Sequence, residues 1–281
     1  MKLEKKSVNL NKLKNLVYLV IIIFVKIFDY LQVLTYFKKI LVKKTLDEAW
    51  KLIPLRKFLT FRKQIKINIY CIGDSHASFF SGYDRIQPSW PNKSTNKFSF
   101  LKNYRLGPVL AYNLCSFKTR SRGREKLFYI LTHLIPLGSK VLFCFGEIDC
   151  RAHLLKQAEI QKREIHEIIR ECVERYLSVI QETKKKGFDV IVWNVMPSGI
   201  IDDALEKDYP FYGTNVERNR VSKYFNEYLK QKLEKFNILF IDIFDKLVFE
   251  NLETKDNYYF DGVHLSQKAM PYFLNKLLKK K

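Results

Sequence analysis

Short, continuous apolar runs alternate with longer amphipathic segments from residue 66 to the end of the chain. The apolar runs cover residues 66–73, 140–149, 188–197 and 236–244, with a shorter candidate strand at 98–101. Apolar positions recur at helical spacing in residues 123–135, 152–187 and 215–235, and again after residue 264. Strands of parallel sheets covered on both faces are apolar throughout. The alternation therefore predicts a three-layer α/β/α sandwich with a mostly parallel sheet, filling residues 64–281.

The composition of residues 1–63 differs from that of the rest of the chain, and it predicts a basic, partly apolar helical segment. Residues 16–25 are all apolar, but Lys26 and Asp29 fall within the ~20-residue length that a membrane-spanning helix needs. Three interpretations stay open: a helix lying in a membrane interface, an uncleaved signal anchor, or an amphipathic helix packed on the main domain or a partner. We expect a cytoplasmic protein, with peripheral membrane association through residues 14–37 left open.

The formal net charge of +21 is concentrated in the first 63 residues, which hold fifteen Lys and Arg against four Asp and Glu. Such a balance fits nucleic acid, an anionic membrane surface or an acidic substrate, and equally a Lys-rich composition without a partner. Because no nucleic-acid motif is present, we expect no nucleic-acid partner. The five cysteines lack CxxC spacing, which argues against a disulfide framework or a zinc site and favours a reducing compartment.

Four polar clusters lie near the ends of the predicted strands. They are Gly73–His76, Gly146–Asp149, Asn194 and Asp261–His264. The carboxyl ends of parallel strands meet at one edge of an open sheet, and ligands bind there. We therefore expect these clusters to form one site.

Ser75 falls where the first strand turns into a helix, so its hydroxyl should be accessible beside helix-terminal N–H groups. A serine hydroxyl is a poor nucleophile until a base takes its proton. His264 is the natural base, because Asp261, three residues earlier, can fix its tautomer and stabilise its charged form. Either motif alone is weak, since Asp261 could simply cap a helix, but their combination predicts nucleophilic catalysis. His76 and His153 have no obvious orienting partner in the sequence.

This arrangement resembles the SGNH/GDSL hydrolase superfamily over roughly residues 66–280. The resemblance rests on Gly-Asp-Ser at the first strand end, a glycine in a later loop, a glycine block after the third strand, and Asp-x-x-His near the C-terminus. It implies a flavodoxin-like sandwich with a shallow site, in which Ser75 is the nucleophile, His264 the base and Asp261 its orienter. It also implies hydrolysis or transfer of acyl groups on lipids, sugars or small esters, with no metal or organic cofactor.

The oxyanion hole is where the sequence departs from the family pattern. The family uses the backbone N–H of the nucleophile, a loop glycine N–H and an Asn side chain. Gly107 is the candidate loop glycine, with Gly82 as the weaker alternative. Ile148 occupies the Asn position of the usual Gly-x-Asn-Asp block and cannot donate a hydrogen bond. Losing one such donor costs about 10²–10³ in rate.

Three further residues complete the expected oxyanion and substrate-binding set: Asp149, Arg151 and Asn194. Arg151 either reaches the oxyanion or an anionic substrate, or it pairs with Asp149 or Glu147 and orders the loop. Asn194 either binds substrate or caps the following turn. The segment GEIDCR, which contains Arg151, is similar to a subgroup of the superfamily associated with surface-polysaccharide biosynthesis.

The leading interpretation is therefore a serine esterase or O-acyl transferase that forms an acyl-serine intermediate. Its expected substrate is an acylated small molecule or glycan, including a lipid-linked glycan. The alternative is a catalytically weak or inactive binding protein on the same fold, because Ile148 replaces the oxyanion Asn.

Overall fold

Five parallel strands form one sheet in the computed structural model, which describes residues 68–200 and 210–279. The strands are β1 (Ile69–Gly73), β2 (Leu101–Arg105), β3 (Lys140–Cys144), β4 (Asp189–Trp193) and β5 (Leu239–Ile241). Their order is β2-β1-β3-β4-β5, and each neighbouring pair is parallel. From β1 the chain first adds β2 on one side of the sheet and then adds β3, β4 and β5 on the other side. The strand order therefore reverses between β1 and β3, and in open α/β sheets a ligand crevice forms at such a point.

Helices surround the sheet in the described part of the chain. The α-helices are α1 (Gly123–His133), α2 (Leu154–Gln161), α3 (Ile165–Lys185), α4 (Asn215–Lys235), α5 (Phe244–Leu247) and α6 (Met270–Lys279). Shorter 3-10 helices cover Ser75–Ser81, Asp256–Tyr258 and Gln267–Ala269, and a π-helical turn covers Asp149–His153. Of the helices described, none is long and apolar enough to cross a membrane. The predicted helical segment 1–63 lies outside the described residues.

Side chains from alternate strand positions enter two different cores. On one face, Ile72 and Val192 pack in a cluster to which α1, α3 and α4 contribute. On the other face, the Trp193 ring packs against Phe79 and Phe273, with centroid distances of 5.8 and 5.4 Å. Successive residues of a strand point to opposite faces, so the neighbours Val192 and Trp193 serve the two cores. The prediction of a three-layer α/β/α sandwich is confirmed.

Two predicted elements differ from the structure. The second strand begins at Leu101, where the segment 98–101 was expected to end. This strand lies at the edge of the sheet and is only partly buried, so its residues lack the apolar pattern of the central strands. The single helix predicted for 152–187 is interrupted at Lys162, which adopts a φ of +51° and ends α2. An apolar stripe continues through both helices, so the sequence pattern does not reveal the break.

Candidate active site

Ser75 lies at a sharp turn between β1 and the following 3-10 helix. A Cβ atom on Gly73 would lie 2.1 Å from the carbonyl oxygen of Cys144, so only glycine allows β1 to approach β3 this closely. Asp74 then caps the helix, because its side chain accepts a hydrogen bond of 2.9 Å from the backbone N–H of His76. The result is a half-buried Ser75 at the first position of a helix, at the carboxyl end of the sheet.

Ser75, His264 and Asp261 form one hydrogen-bonded series. Nε2 of His264 lies 2.8 Å from Oγ of Ser75, and Nδ1 of His264 lies 2.7 Å from Oδ2 of Asp261. The other oxygen of Asp261 accepts hydrogen bonds from the backbone N–H groups of Val263 and His264. Because the ionised carboxylate only accepts, Nδ1 carries the proton and Nε2 is free to accept the proton of the Ser75 hydroxyl. The predicted juxtaposition of these three residues is present in the structure.

The surroundings keep the acid ionised and the base neutral. Burial by itself raises the pKa of Asp261, but the hydrogen bonds from His264 and Val263 outweigh it and hold that pKa below its ordinary value. Burial lowers the pKa of His264, and the nearby ring of His76 lowers it further, against the opposing effect of Asp261. A neutral imidazole beside an ionised carboxylate is the state that a general base requires.

The backbone N–H groups of Ser75 and Gly107 are the candidate oxyanion donors. Leu106 donates a hydrogen bond of 2.8 Å to the carbonyl of Gly73, so the loop with Gly107 runs beside the turn with Ser75. Gly107 has a φ of +97°, a backbone conformation that favours glycine, and a Cβ there would lie 3.6 Å from Oγ of Ser89. Neither N–H has an acceptor within the described part of the chain. The alternative glycine, Gly82, already donates its N–H to the carbonyl of Phe79.

Asp149, expected near the oxyanion or substrate, has a structural role instead. Its two carboxylate oxygens accept hydrogen bonds from the backbone N–H groups of Ala111 and Tyr112, at 2.7 and 3.1 Å. The side chain is buried, and burial raises the pKa of its carboxyl group. Asp149 therefore fastens the loop that follows Gly107 to the turn after β3.

We predict that Asp149→Ala lowers the free energy of unfolding by about 2–4 kcal/mol, because it leaves the buried N–H of Ala111 and the partly buried N–H of Tyr112 without their acceptor. Urea denaturation measures the effect, with Asp189→Ala, an exposed carboxylate, as the matched control. An Asp149→Ala protein as stable as the wild type would contradict the structural role.

The side chains of Arg151 and Asn194 also form hydrogen bonds with other residues of the chain. Nε of Arg151 donates to Oε1 of Glu147 at 2.8 Å, and Nη1 donates to the carbonyl of Pro210 at 2.6 Å. The structure thus favours the pairing of Arg151 with Glu147 over a direct contact with the oxyanion. Asn194, expected to bind substrate or cap a turn, uses its amide on the backbone of Val195 and Ile243. It joins the chain after β4 to the chain after β5.

Sequence reasoning missed the partner of His76. Nε2 of His76 lies 2.9 Å from Oε2 of Glu147, although the angle falls short of a well-aligned hydrogen bond. Glu147 follows β3 and His76 follows β1, and these strands are neighbours in the sheet. The sequence does show that a carboxylate and an imidazole each follow a strand. It does not show that the two strands are neighbours, so the pairing could be recognised only from the strand order. Within the described part of the chain, no cluster of His, Cys, Asp and Glu is arranged to hold a metal ion.

Comparisons with known proteins give only distant likenesses. No family model matches the chain, and no curated protein matches it. A carbohydrate acetylesterase from Sinorhizobium meliloti is 16% identical, with a TM-score of 0.46 over 76% of this chain and 98% of that one. A GDSL-like lipase from Bacteroides thetaiotaomicron is 13% identical, with a TM-score of 0.43 over 82% and 98%. A lipase/acylhydrolase from Enterococcus faecalis is 13% identical, with a TM-score of 0.40 over 76% and 96%. At this distance the likenesses carry no argument about activity.

Proposed function

We propose that the chain is a serine hydrolase of the SGNH/GDSL type that cleaves or transfers an ester-linked acyl group. The observation that carries the proposal is the series of two short hydrogen bonds from Ser75 through His264 to Asp261. Each member has the chemistry of its role: a hydroxyl nucleophile, a neutral imidazole and an ionised carboxylate.

The first half-reaction forms an acyl-enzyme. Oγ of Ser75 attacks the carbonyl carbon of the ester while its proton passes to Nε2 of His264. Asp261 stabilises the resulting imidazolium through Nδ1–H. The negative charge on the carbonyl oxygen is met by the backbone N–H groups of Ser75 and Gly107. The tetrahedral intermediate collapses when the alcohol departs with the proton from His264, which leaves the acyl group on Ser75.

The second half-reaction decides between hydrolysis and transfer. His264 removes a proton from water or from an acceptor hydroxyl, which attacks the carbonyl carbon of the acyl-Ser75 ester. The bond between that carbon and Oγ then breaks, and His264 returns the proton to Oγ, which restores the free serine. We further propose that the ester belongs to a carbohydrate or a lipid-linked glycan. This narrower proposal is supported by the similarity of the GEIDCR segment to a subgroup associated with surface-polysaccharide biosynthesis.

A binding protein without catalysis is the second candidate, and one observation favours it. Ile148 occupies the position of the third oxyanion donor and offers no hydrogen bond. Loss of one donor slows such reactions by about 10²–10³ without abolishing them. The intact hydrogen bonds of Ser75 and His264 therefore favour a slow enzyme over an inactive one.

Two measurements on the full chain separate the candidates: hydrolysis of p-nitrophenyl acetate, and labelling by a fluorophosphonate followed by mass spectrometry. An esterase shows turnover and carries the label on Ser75. Labelling of Ser75 without acetate release points to a transferase that requires its own acceptor. Failure of both in folded protein would reject the serine mechanism and leave the binding protein.

The pH dependence of the hydrolysis rate is expected to follow the ionisation of His264. Because only the neutral imidazole accepts the proton of Ser75, kcat/KM should rise with pH and then level off. The lowered pKa of His264 places this rise below the ordinary imidazole value of about 6.5. Rates measured from about pH 4 to 9 test the expectation. A rise centred above the ordinary value would contradict it.

A further inference from the structure

A second histidine packs directly on the candidate base. His76 follows Ser75 in the chain and is only 4% exposed. Its ring lies 4.8 Å from the ring of His264, at an interplanar angle of 35°. The ring of Phe260 also stacks on His264, at 5.9 Å and 23°. The imidazole of His264 therefore has aromatic rings from two parts of the chain as neighbours, and one of these rings can carry a charge.

His76 belongs to a buried series of charged side chains. Oε2 of Glu147 lies 2.9 Å from Nε2 of His76, and Oε1 of Glu147 accepts a hydrogen bond of 2.8 Å from Arg151. All three side chains are 4% exposed or less. A buried carboxylate is tolerated only when cations or hydrogen bonds compensate it. Glu147 thus contacts a guanidinium and an imidazole, and the imidazole of His76 is the one that packs on His264.

The charges around the pair favour a protonated His76. Burial raises the pKa of Glu147, but Arg151 and His76 outweigh burial and hold that pKa well below its ordinary value. Burial lowers the pKa of His76, but Glu147 and Asp74 together raise it by more, so the net shift is upward. Asp74, which caps the backbone N–H of His76, is fully buried, and burial raises its pKa to about 7.

We propose that His76, held on the Glu147–Arg151 pair, is a positioning residue that places a positive charge beside His264 and so keeps the base unprotonated. The inference rests on the proposed serine mechanism. The charged side chains that act on the two rings are Asp261 from the loop of His264, Asp74 from the turn after β1, and Glu147 and Arg151 from the turn after β3. Ser75 contacts His264 from the turn after β1. Asp261 and Glu147 favour protonation of His264, and the charge of His76 opposes it.

The consequence is a wider pH range for the base. Two cationic rings 4.8 Å apart repel each other, so the charge on His76 lowers the pKa of His264. Removal of that charge takes away one of the two effects named above that lower the pKa of His264, and this pKa should therefore rise. The effect is confined to acidic pH, because His264 is neutral at alkaline pH with or without His76.

The test is the rate at which a fluorophosphonate labels Ser75, measured against pH in the full-length wild type and in His76→Gln. The rate reports the neutral fraction of His264 and needs no natural substrate. We expect the acidic limb of the profile to move upward by about one pH unit in His76→Gln, with little change in the alkaline plateau. His133→Gln, which removes an exposed histidine of α1, should leave the profile unchanged. A lower plateau with an unmoved limb would show that His76 only supports the structure and would overturn the inference.

A second measurement covers the case in which His76→Gln does not fold. Imidazole nitrogen NMR of the wild-type chain at pH 7 distinguishes a ring with two N–H groups from a neutral ring. A cationic His76 beside a neutral His264 supports the inference, whereas a neutral His76 overturns it. Absence of any label on wild-type Ser75 would reject the proposed function, and the NMR result would still decide the charge of His76.

Discussion

Ser75→Ala is expected to lower kcat/KM for p-nitrophenyl acetate by roughly 10⁴-fold or more and to abolish fluorophosphonate labelling. Without Oγ no acyl-enzyme forms, and only the N–H donors and substrate binding remain to assist attack by water. His264→Ala should cost about as much, because a nucleophile and its base act as one unit and their losses do not add. The rates are to be compared at equal concentrations of folded protein.

A matched serine variant tests whether the effect belongs to the site. Ser178 lies on the exposed face of α3, where its hydroxyl donates a hydrogen bond to the backbone carbonyl of Arg175. Ser178→Ala should therefore retain the wild-type rate and the wild-type label. Substantial hydrolysis by Ser75→Ala would mean that another group performs the chemistry, and the proposed mechanism would fail.

Arg151→Ala is expected to lower the free energy of unfolding by about 3–5 kcal/mol. Removal of the guanidinium takes away the hydrogen-bonded cation of the buried Glu147, and it also removes the hydrogen bond to Pro210. Breaking one side of a buried pair is costly because the desolvated charge stays behind. Urea denaturation at neutral pH measures the loss, with circular dichroism to follow the folded fraction.

The control for Arg151 is an arginine whose ion pairs are exposed to water. Arg163 pairs with Glu167 and Glu171 on the surface, and such pairs contribute little to stability. Arg163→Ala should therefore unfold close to the wild-type urea midpoint.

Folded Arg151→Ala should still be labelled at Ser75. Loss of labelling with unchanged stability would instead restore Arg151 as an oxyanion or substrate donor.

Sequence patterns predicted the central strands well but overestimated their lengths. The runs 140–149 and 188–197 continue past the last residues of β3 and β4, Cys144 and Trp193. Residues after the strands can be as buried as the strands themselves, as Phe145 is, because its ring packs in the hydrophobic core against Phe143 and Tyr176. An apolar run in the sequence indicates that its residues are buried. It does not show whether they form a strand or a loop packed in the core.

The sequence alone identified the candidate nucleophile and the Asp261–His264 pair, because each of the two motifs is local in the chain, whereas the contact between His264 and Ser75 spans 189 residues. Two short sequence motifs indicate the roles: a serine in a tight strand-to-helix turn, and a histidine three residues after an aspartate. The functions of Asp149, Glu147 and His76 depended on residues distant in the chain, so only the tertiary structure assigned them. Parallel strand order brings the ends of β1 and β3 together, and this contact turned a histidine without an obvious partner into one held by a buried carboxylate.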